Sequence, residues 1–314
     1  MRVLITGIDG FVGSHLADLL VSLGSVEIHG TVYRSDEPLR NIAHLRHQLV
    51  LHQADVTDAP RVALLVKEIR PDRILHIAGQ AFVPASVRDP MGTFQTNLLG
   101  GLSVLEAARE LYARTGKGPA VLIVSSGEVY GAVSPQHLPV TEDAPINPTN
   151  PYAASKAGLD LIAQQYARTF GVDVIIVRPF NHAGPRQSPA FVVSDFARQF
   201  ALIALGNQEP VIHVGNINVE RDFTDVRDVV RAYWGLFERR TQEIVFNVAS
   251  NRTVCIREIL TQLAALSGVD VQIRQEKDRI RPYDVPAIRA SHERLTNATG
   301  WTPSIPFRLT LEDV

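Results

Sequence analysis

The chain has 314 residues, of which 45% are apolar and 20% charged, with 31 basic against 33 acidic side chains. That length buries one large α/β core plus a smaller lobe, and the near-neutral balance gives no electrostatic case for nucleic acid. The single cysteine, Cys255, excludes an internal disulfide framework and any cysteine metal cluster.

No stretch approaches the roughly 18 uninterrupted apolar residues of a membrane helix, so no membrane partner is expected and a cytoplasmic location is the default. The histidines are scattered without carboxylates at ligand spacing, so no metal site is expected. Lysine is confined to Lys67, Lys117, Lys156 and Lys277, and arginine dominates the basic side chains. Its rigid fork suits phosphate and carboxylate, which keeps an anionic small ligand in view.

Arg2 to Thr6 is a compact strand without a polar face, as in the centre of a parallel sheet. Gly7, Gly10 and Gly13 follow in a G-x-x-G-x-x-G loop, then a helical pattern through Leu16, Leu19, Leu20 and Leu23. Gly7 permits the tight turn, Gly10 lets a pyrophosphate approach the backbone, and Gly13 lets the helix pack on the strand. The loop residues Gly7, Asp9, Gly10, Phe11, Val12 and Gly13 form the expected dinucleotide cradle.

A second strand from Val26 to Val32 ends near Tyr33, Arg34 and Ser35. An acid normally grips the ribose hydroxyls of NAD at this strand end, and positions 31 to 35 hold none. Arg34 and Ser35 suit a ribose 2'-phosphate, so NADP(H) is preferred; nearby Asp36 keeps NAD(H) open.

The alternation then repeats. Leu49 to Leu51 leads to Asp55 and Val56, placed to bracket an adenine, although Asp55 reads equally as a helix cap. Arg73 to Ile77 leads to Ala78, Gly79, Gln80 and Ala81, a loop small enough to admit a cofactor backbone. A long helix from about Gly92 to Arg114 carries Asn97 on its buried side, where an amide needs partners. Ala120 to Val124 is another buried strand, and it delivers Ser126, Gly127 and Glu128 to the crevice.

The helix from 152 to 170 opens with Tyr152 and Lys156. At that spacing phenol and ammonium share one helix face, so the charge favours the phenolate. Val172 to Val177 is the next strand, ending in Arg178, Pro179, Phe180, Asn181 and His182. This gives a doubly wound parallel sheet of about six or seven strands over residues 1 to 180. Residues 181 to 314 form a smaller C-terminal, predominantly substrate-binding lobe, with return segments to the first domain near 210 to 250. Within them Glu243 to Val248 reads as a strand of the main sheet, and Val254 to Leu266 as a helix capped by Thr253 or Asn251.

Gly7, Gly10 and Gly13, Ser126, Tyr152 with Lys156, and Arg178 to Asn181 together resemble the extended short-chain dehydrogenase/reductase family, in its nucleotide-sugar branch. Within it, residues 178 to 188, 221 to 228 and 281 to 286 are similar to the GDP-mannose 4,6-dehydratase group and its 4-keto reductases. The resemblance implies a Rossmann fold, NAD(P)(H), a homodimer built on the helices near 92 to 114 and 152 to 170, and a GDP-linked sugar substrate. It implies reduction of the C4 ketone of GDP-4-keto-6-deoxy-D-mannose to GDP-D-rhamnose, or dehydration of GDP-mannose.

In the dehydratases a Thr and a Glu stand where this chain has Ser126 and Glu128. Ser126 and the short chain favour the reductase, whereas Glu128 keeps the dehydratase and other redox-neutral enzymes, epimerases included, open. Gly127 departs from the acid of the dTDP-glucose dehydratases. The resemblance implies catalytic roles for Ser126, Glu128, Tyr152 and Lys156, and cofactor contacts at Asn97 and Phe180. It also implies substrate contacts at Ser126, Gly127, Glu128, Asn181, Arg186, Arg221, Arg281 and Asp284.

Overall fold

The computed structural model describes residues 1–33, 39–238, 241–279 and 285–314, apart from the side chain of Asp278. In β1 (Arg2–Thr6) every residue after Arg2 is buried, and α1 (Phe11–Leu23) turns Leu16 and Leu20 inward. Burying one such leucine contributes roughly 1.5–3 kcal/mol. The alternation continues through β2 (Glu27–Val32), β3 (Leu49–Gln53), α2 (Ala59–Ile69) and β4 (Arg73–His76). Two short helices, α3 (Val83–Arg88) and α4 (Pro90–Phe94), precede a π-turn over Gln95–Leu99 and α5 (Gly100–Thr115). The long helix expected there is thus interrupted by a π-turn, and Asn97 sits on it.

The first unit closes with β5 (Ala120–Val124), α6 (Pro151–Phe170) and β6 (Val174–Pro179). After β7 (Asn181–Ala183), the chain runs through α7 (Val192–Ala204), β8 (Val211–Val214), β9 (Glu220–Asp225) and α8 (Val226–Glu238). It then passes through β10 (Val245–Val248), β11 (Thr253–Cys255), α9 (Ile256–Ser267) and β12 (Gln272–Gln275).

The main sheet has seven parallel strands in the order β10-β6-β5-β4-β1-β2-β3. The doubly wound expectation holds, and β10 returns to the main sheet beside β6 as its sequence suggests. α1 and α8 pack on one face through Leu16, Leu20, Val229 and Tyr233, while α2, α5 and α6 cover the other. The order in which strands are added reverses between β1 and β4, so a crevice opens at their carboxyl ends, where such sheets bind ligands.

A third core, around Phe196, Ile212, Phe223 and Leu260, belongs to the lobe. There β8 pairs with β12, and β9 lies between β7 and β11. One local expectation is corrected. Thr253 does not cap α9: β9 recruits Thr253 to Cys255 into an antiparallel pair, the Thr253 hydroxyl donates to Glu220 at 2.7 Å, and α9 starts at Ile256 without a side-chain cap. Among the described residues no helix is long and apolar enough to cross a membrane, and no group of three or more His, Cys, Asp or Glu could hold a metal ion.

Candidate active site

The crevice floor is built by β1 and β4. Thr6 Oγ1 accepts the amides of Ile77 and Ala78, each at 3.2 Å, and lies 2.9 Å from His76 Nδ1. His76 is fully buried, which pulls its pKa down to about 3, with the charge of Lys156 adding to the effect. It is therefore a neutral part of the floor.

Above it the glycine loop has the shape that close backbone approach demands. Gly7 adopts φ +69°, and a Cβ on Gly13 would stand 2.2 Å from the Gly7 carbonyl oxygen. Only hydrogen fits at Gly13, so α1 can begin directly against the turn. That helix starts at Gly10 with no side-chain cap and no acid in its first turn, while α2 and α6 are capped by Asp58 and Asn150. Uncapped N–H groups at the positive end of a helix suit an anion, so the loop fits a dinucleotide pyrophosphate.

Around this cradle the expected residues divide. Asp55 and Val56 lie just past β3, with Val56 buried against Gly100. Asp55 Oδ1 accepts the Thr57 amide at 2.8 Å, whereas the cap of α2 is Asp58, so Asp55 is not the helix cap. Asp9 presents its carbonyl to Asn41 at 3.0 Å. Phe11 stacks on His182 at 5.9 Å, which joins the start of α1 to β7 and leaves Val12 half-buried beside it. Arg34, Ser35, Asp36, Arg281 and Asp284 lie outside the described residues.

Asn97 finds its partners in the β4 loop. Its Oδ1 accepts the Gln80 amide at 2.8 Å, and its Nδ2 donates to the Gln80 carbonyl and to Ser155 Oγ, each at 3.0 Å. It fastens the Ala78 to Ala81 loop to α6. A Cβ on Gly79 would meet Asn97 Oδ1 at 2.9 Å and Lys156 Nζ at 3.4 Å, so this loop edge touches the α6 ammonium.

The reacting groups meet where β5 and α6 converge. Lys156 is buried and its Nζ donates to the Val124 carbonyl at 2.8 Å, so the ammonium turns to the strand end. Burial lowers its pKa to about 8. Tyr152, half-buried in the crevice wall, has its phenol pushed up to about 12 by desolvation; hydrogen bonding with Ser126 opposes that shift and the Glu128 charge adds to it. Burial thus outweighs any phenolate-favouring charge here.

Ser126, buried and extended at φ −163°, starts a 3₁₀ turn by accepting the Glu128 amide at 3.1 Å. Gly127 is confined by Phe180, since a Cβ there would lie 2.9 Å from three ring carbons. Any larger side chain, including an acid, would displace that ring.

Asn150 joins the site although sequence reasoning gives it no role there. Its Oδ1 caps α6 at the Ala153 amide, 2.8 Å away, and its Nδ2 donates to Glu128 Oε2 at 3.3 Å. A capping Asn two residues before the tyrosine was the available signal for the first bond; the second is nonlocal. Among the described residues, two buried side-chain oxygens have no partner, Thr224 Oγ1 and the Tyr233 hydroxyl.

The diphosphate candidates are spread out. Asn181 is half-buried at the head of β7, where it pairs with Phe223. Arg186 is drawn to α1 by Asp18, at 2.6 Å, and reaches the Asn41 carbonyl at 3.4 Å. Arg221 donates to the carbonyls of Glu220 and Val285, at 2.8 and 2.7 Å. Thus Ser126, Glu128, Tyr152, Lys156, Gly79 and Asn97 form one constellation, with Arg186 and Arg221 tied elsewhere.

The family described as GDP-mannose 4,6 dehydratase matches residues 4–314. A GDP-6-deoxy-D-mannose reductase of Pseudomonas aeruginosa is 38% identical, covering 100% of this chain and 95% of that protein. Among solved structures, RMD from Pseudomonas aeruginosa complexed with NADPH superposes with a TM-score of 0.84 at 37% identity, covering 99% of this chain and 96% of that one. A UDP-glucose 4-epimerase of Thermotoga maritima, solved with UDP-glucose, gives a TM-score of 0.88 at 26% identity, covering 99% and 96%.

Proposed function

Because the chain belongs to the GDP-mannose 4,6 dehydratase family, we propose that it reduces the C4 ketone of GDP-4-keto-6-deoxy-D-mannose to GDP-D-rhamnose with NADPH. One observation carries the choice of reaction: the likeness, over the whole of this chain, to a GDP-6-deoxy-D-mannose reductase, GDP-6-deoxy-D-mannose being GDP-D-rhamnose. Ser126 in place of the dehydratase threonine supports it. The GDP-sugar occupies the lobe from residue 181 onward, with Asn181 at its head; Arg281 and Asp284 remain sequence-based candidates for the nucleotide and diphosphate, and Arg221 would have to leave its carbonyl partners to join them. Arg34 and Ser35 favour NADP(H) over NAD(H).

The uncapped start of α1 would hold the pyrophosphate, and the Gly79 edge would admit the ribose beside Lys156. When bound, the reduced nicotinamide supplies the hydride that C4 accepts. Tyr152 gives its proton to the carbonyl oxygen as negative charge develops there, and Ser126 holds the same oxygen by a hydrogen bond. A phenol kept protonated by burial is suited to that donation. Lys156 keeps a positive charge beside the site and orients the ribose.

The direct test supplies the keto sugar and NADPH and follows the absorbance of reduced nicotinamide. Consumption of NADPH supports the reductase; no consumption together with water loss from GDP-mannose replaces it with the dehydratase.

A pH dependence follows from Lys156. Its folded pKa of about 8 lies below the ordinary lysine value, so the ammonium is nearly complete a unit below that pH, half lost at it and lost progressively as pH rises further. Turnover under cofactor saturation is expected to be level to about a unit below that value and to fall toward about tenfold per unit above it. A profile level to pH 10 would show that the lysine charge is not needed.

We propose that the homodimer of the family expectation forms on the α4 to α6 region, and exposed apolar side chains support this reading. Met91, Leu99 and Tyr112, along the α4 to α5 run, and Leu161 on α6 are 70, 49, 45 and 52% exposed. Exposed apolar side chains on these helices favour a partner there. Leu161→Glu is expected to sediment as a monomer; a persistent dimer would move the interface elsewhere.

A further inference from the structure

Two rings face each other across the mouth of the crevice. Phe82, at the end of the β4 loop, and Phe191, at the start of α7 in the lobe, meet edge to face with centroids 6.0 Å apart and planes at 74°. Both are half-buried. The pair thus joins the sheet side of the crevice to the lobe side.

Each ring is held by its own unit. The Phe82 amide donates to Gln80 Oε1, Gln80 Nε2 donates to Thr93 Oγ1 at 3.1 Å, and the Gln80 backbone is clamped by Asn97. On the other side, the Phe191 amide donates to the Ser188 carbonyl at 3.1 Å, and its carbonyl accepts the Asp195 amide at 2.8 Å. The preceding segment is fastened by Gln187, which donates to the His182 carbonyl at 2.8 Å and accepts from Ser194 Oγ at 3.1 Å.

The rings are also near the chemistry. Gly79 stands against Lys156 Nζ, and three further residues of chain reach at most about 11 Å, so Phe82 belongs to the same loop edge that borders the Lys156 ammonium. In a 4-keto hexose C6 is two bonds from the reacting C4. The Gln80 side chain beside Phe82 is already committed, since its Oε1 accepts the Phe82 amide and its Nε2 donates to Thr93 on α4.

We propose that Phe82 and Phe191 form an aromatic clamp that packs on the C5–C6 edge of the sugar and selects a 6-methyl over a 6-hydroxymethyl group. This rests on the 4-keto reductase reading. A methyl packed against the outer edge of the ring pair gains contact and loses only water. A hydroxyl there loses its water partners, and the committed groups of the loop offer no replacement.

GDP-6-deoxy-D-mannose and GDP-D-mannose differ only in the 6-hydroxyl, so their affinities for the intact protein, measured by titration calorimetry, read the clamp without turnover. The wild type is expected to prefer the deoxy sugar by about tenfold to a hundredfold. Phe82→Asn, which places an amide at the rim, is expected to bring that ratio within about threefold of unity and to leave the affinity for GDP itself within about threefold. Should that variant not fold, Phe82→Tyr keeps the ring, adds a partner for the hydroxyl and is expected to lower the ratio at least threefold. A wild-type ratio near one, or a ratio unchanged in the folded variant, overturns the clamp. A protein that shows the ratio but consumes no NADPH with the keto sugar keeps the clamp and loses the reductase reading.

Discussion

Tyr152→Phe is expected to lower kcat for ketone reduction by about two to four orders of magnitude while the protein stays folded and keeps its cofactor affinity. The ring remains to fill the crevice wall, and the lost atom is the hydroxyl that shares a hydrogen bond with Ser126. Lys156 is held by the Val124 carbonyl and Asn97 by the Gln80 backbone and Ser155, so neither depends on the phenol for its position. The loss should therefore fall on the proton-transfer step, lowering kcat and kcat/KM together with little change in the dissociation constant for NADPH. Stopped-flow absorbance under saturating cofactor measures it. Turnover within about tenfold of wild type would assign the proton to another donor, with Glu128 as the nearest alternative.

The parts that were legible in the sequence are those in which local pattern and local structure coincide. β1, the glycine turn and α1 follow from one apolar run and glycine spacing, and the steric reason for Gly13 is a contact six residues away in the chain, with the Gly7 carbonyl. Tyr152 and Lys156 belong to one helix, so their shared neighbourhood is likewise local. The pairing of β8 with β12 is of another kind. Gln272 to Gln275 are all exposed and show no apolar alternation, so nothing along β12 announces a strand; register with Val211 to Val214 makes it one.

Side-chain direction was the least legible feature of the site. Lys156 points to a carbonyl supplied by β5, and Arg186 is claimed by Asp18 from α1; both partners are far off in sequence. Asn150 could be read as a helix cap, but its second bond requires Glu128 to have been delivered by another strand. The same holds for Phe82 and Phe191, whose rings acquire a relation only when the lobe folds over the crevice.

Asp160→Ala is expected to cost about 3–5 kcal/mol of unfolding free energy, since it strips the partner from a buried guanidinium. Arg178 and Asp160 are 3 and 0% exposed and are joined by two bonds, Nε to Oδ2 at 2.8 Å and Nη2 to Oδ1 at 3.1 Å. The second arm of Arg178 donates to the Tyr130 hydroxyl at 2.9 Å and the Glu142 carbonyl at 3.1 Å, and Tyr130 donates onward to Asn247 Oδ1 at 2.7 Å. This network ties α6, which carries Tyr152 and Lys156, to β6, to β10 and to the turn that follows Ser126. Total stabilities of about 5–15 kcal/mol leave little after such a loss. Desolvation of the charge, more than the worth of the pair, sets the size of the effect, so Asp160→Leu combined with Arg178→Met should recover a substantial part of it. Urea unfolding of the two single variants and the double variant closes the cycle. A coupling energy below about 1 kcal/mol would show that the guanidinium finds water or another acceptor once Asp160 is gone, and that α6 is held to the sheet by its apolar face alone.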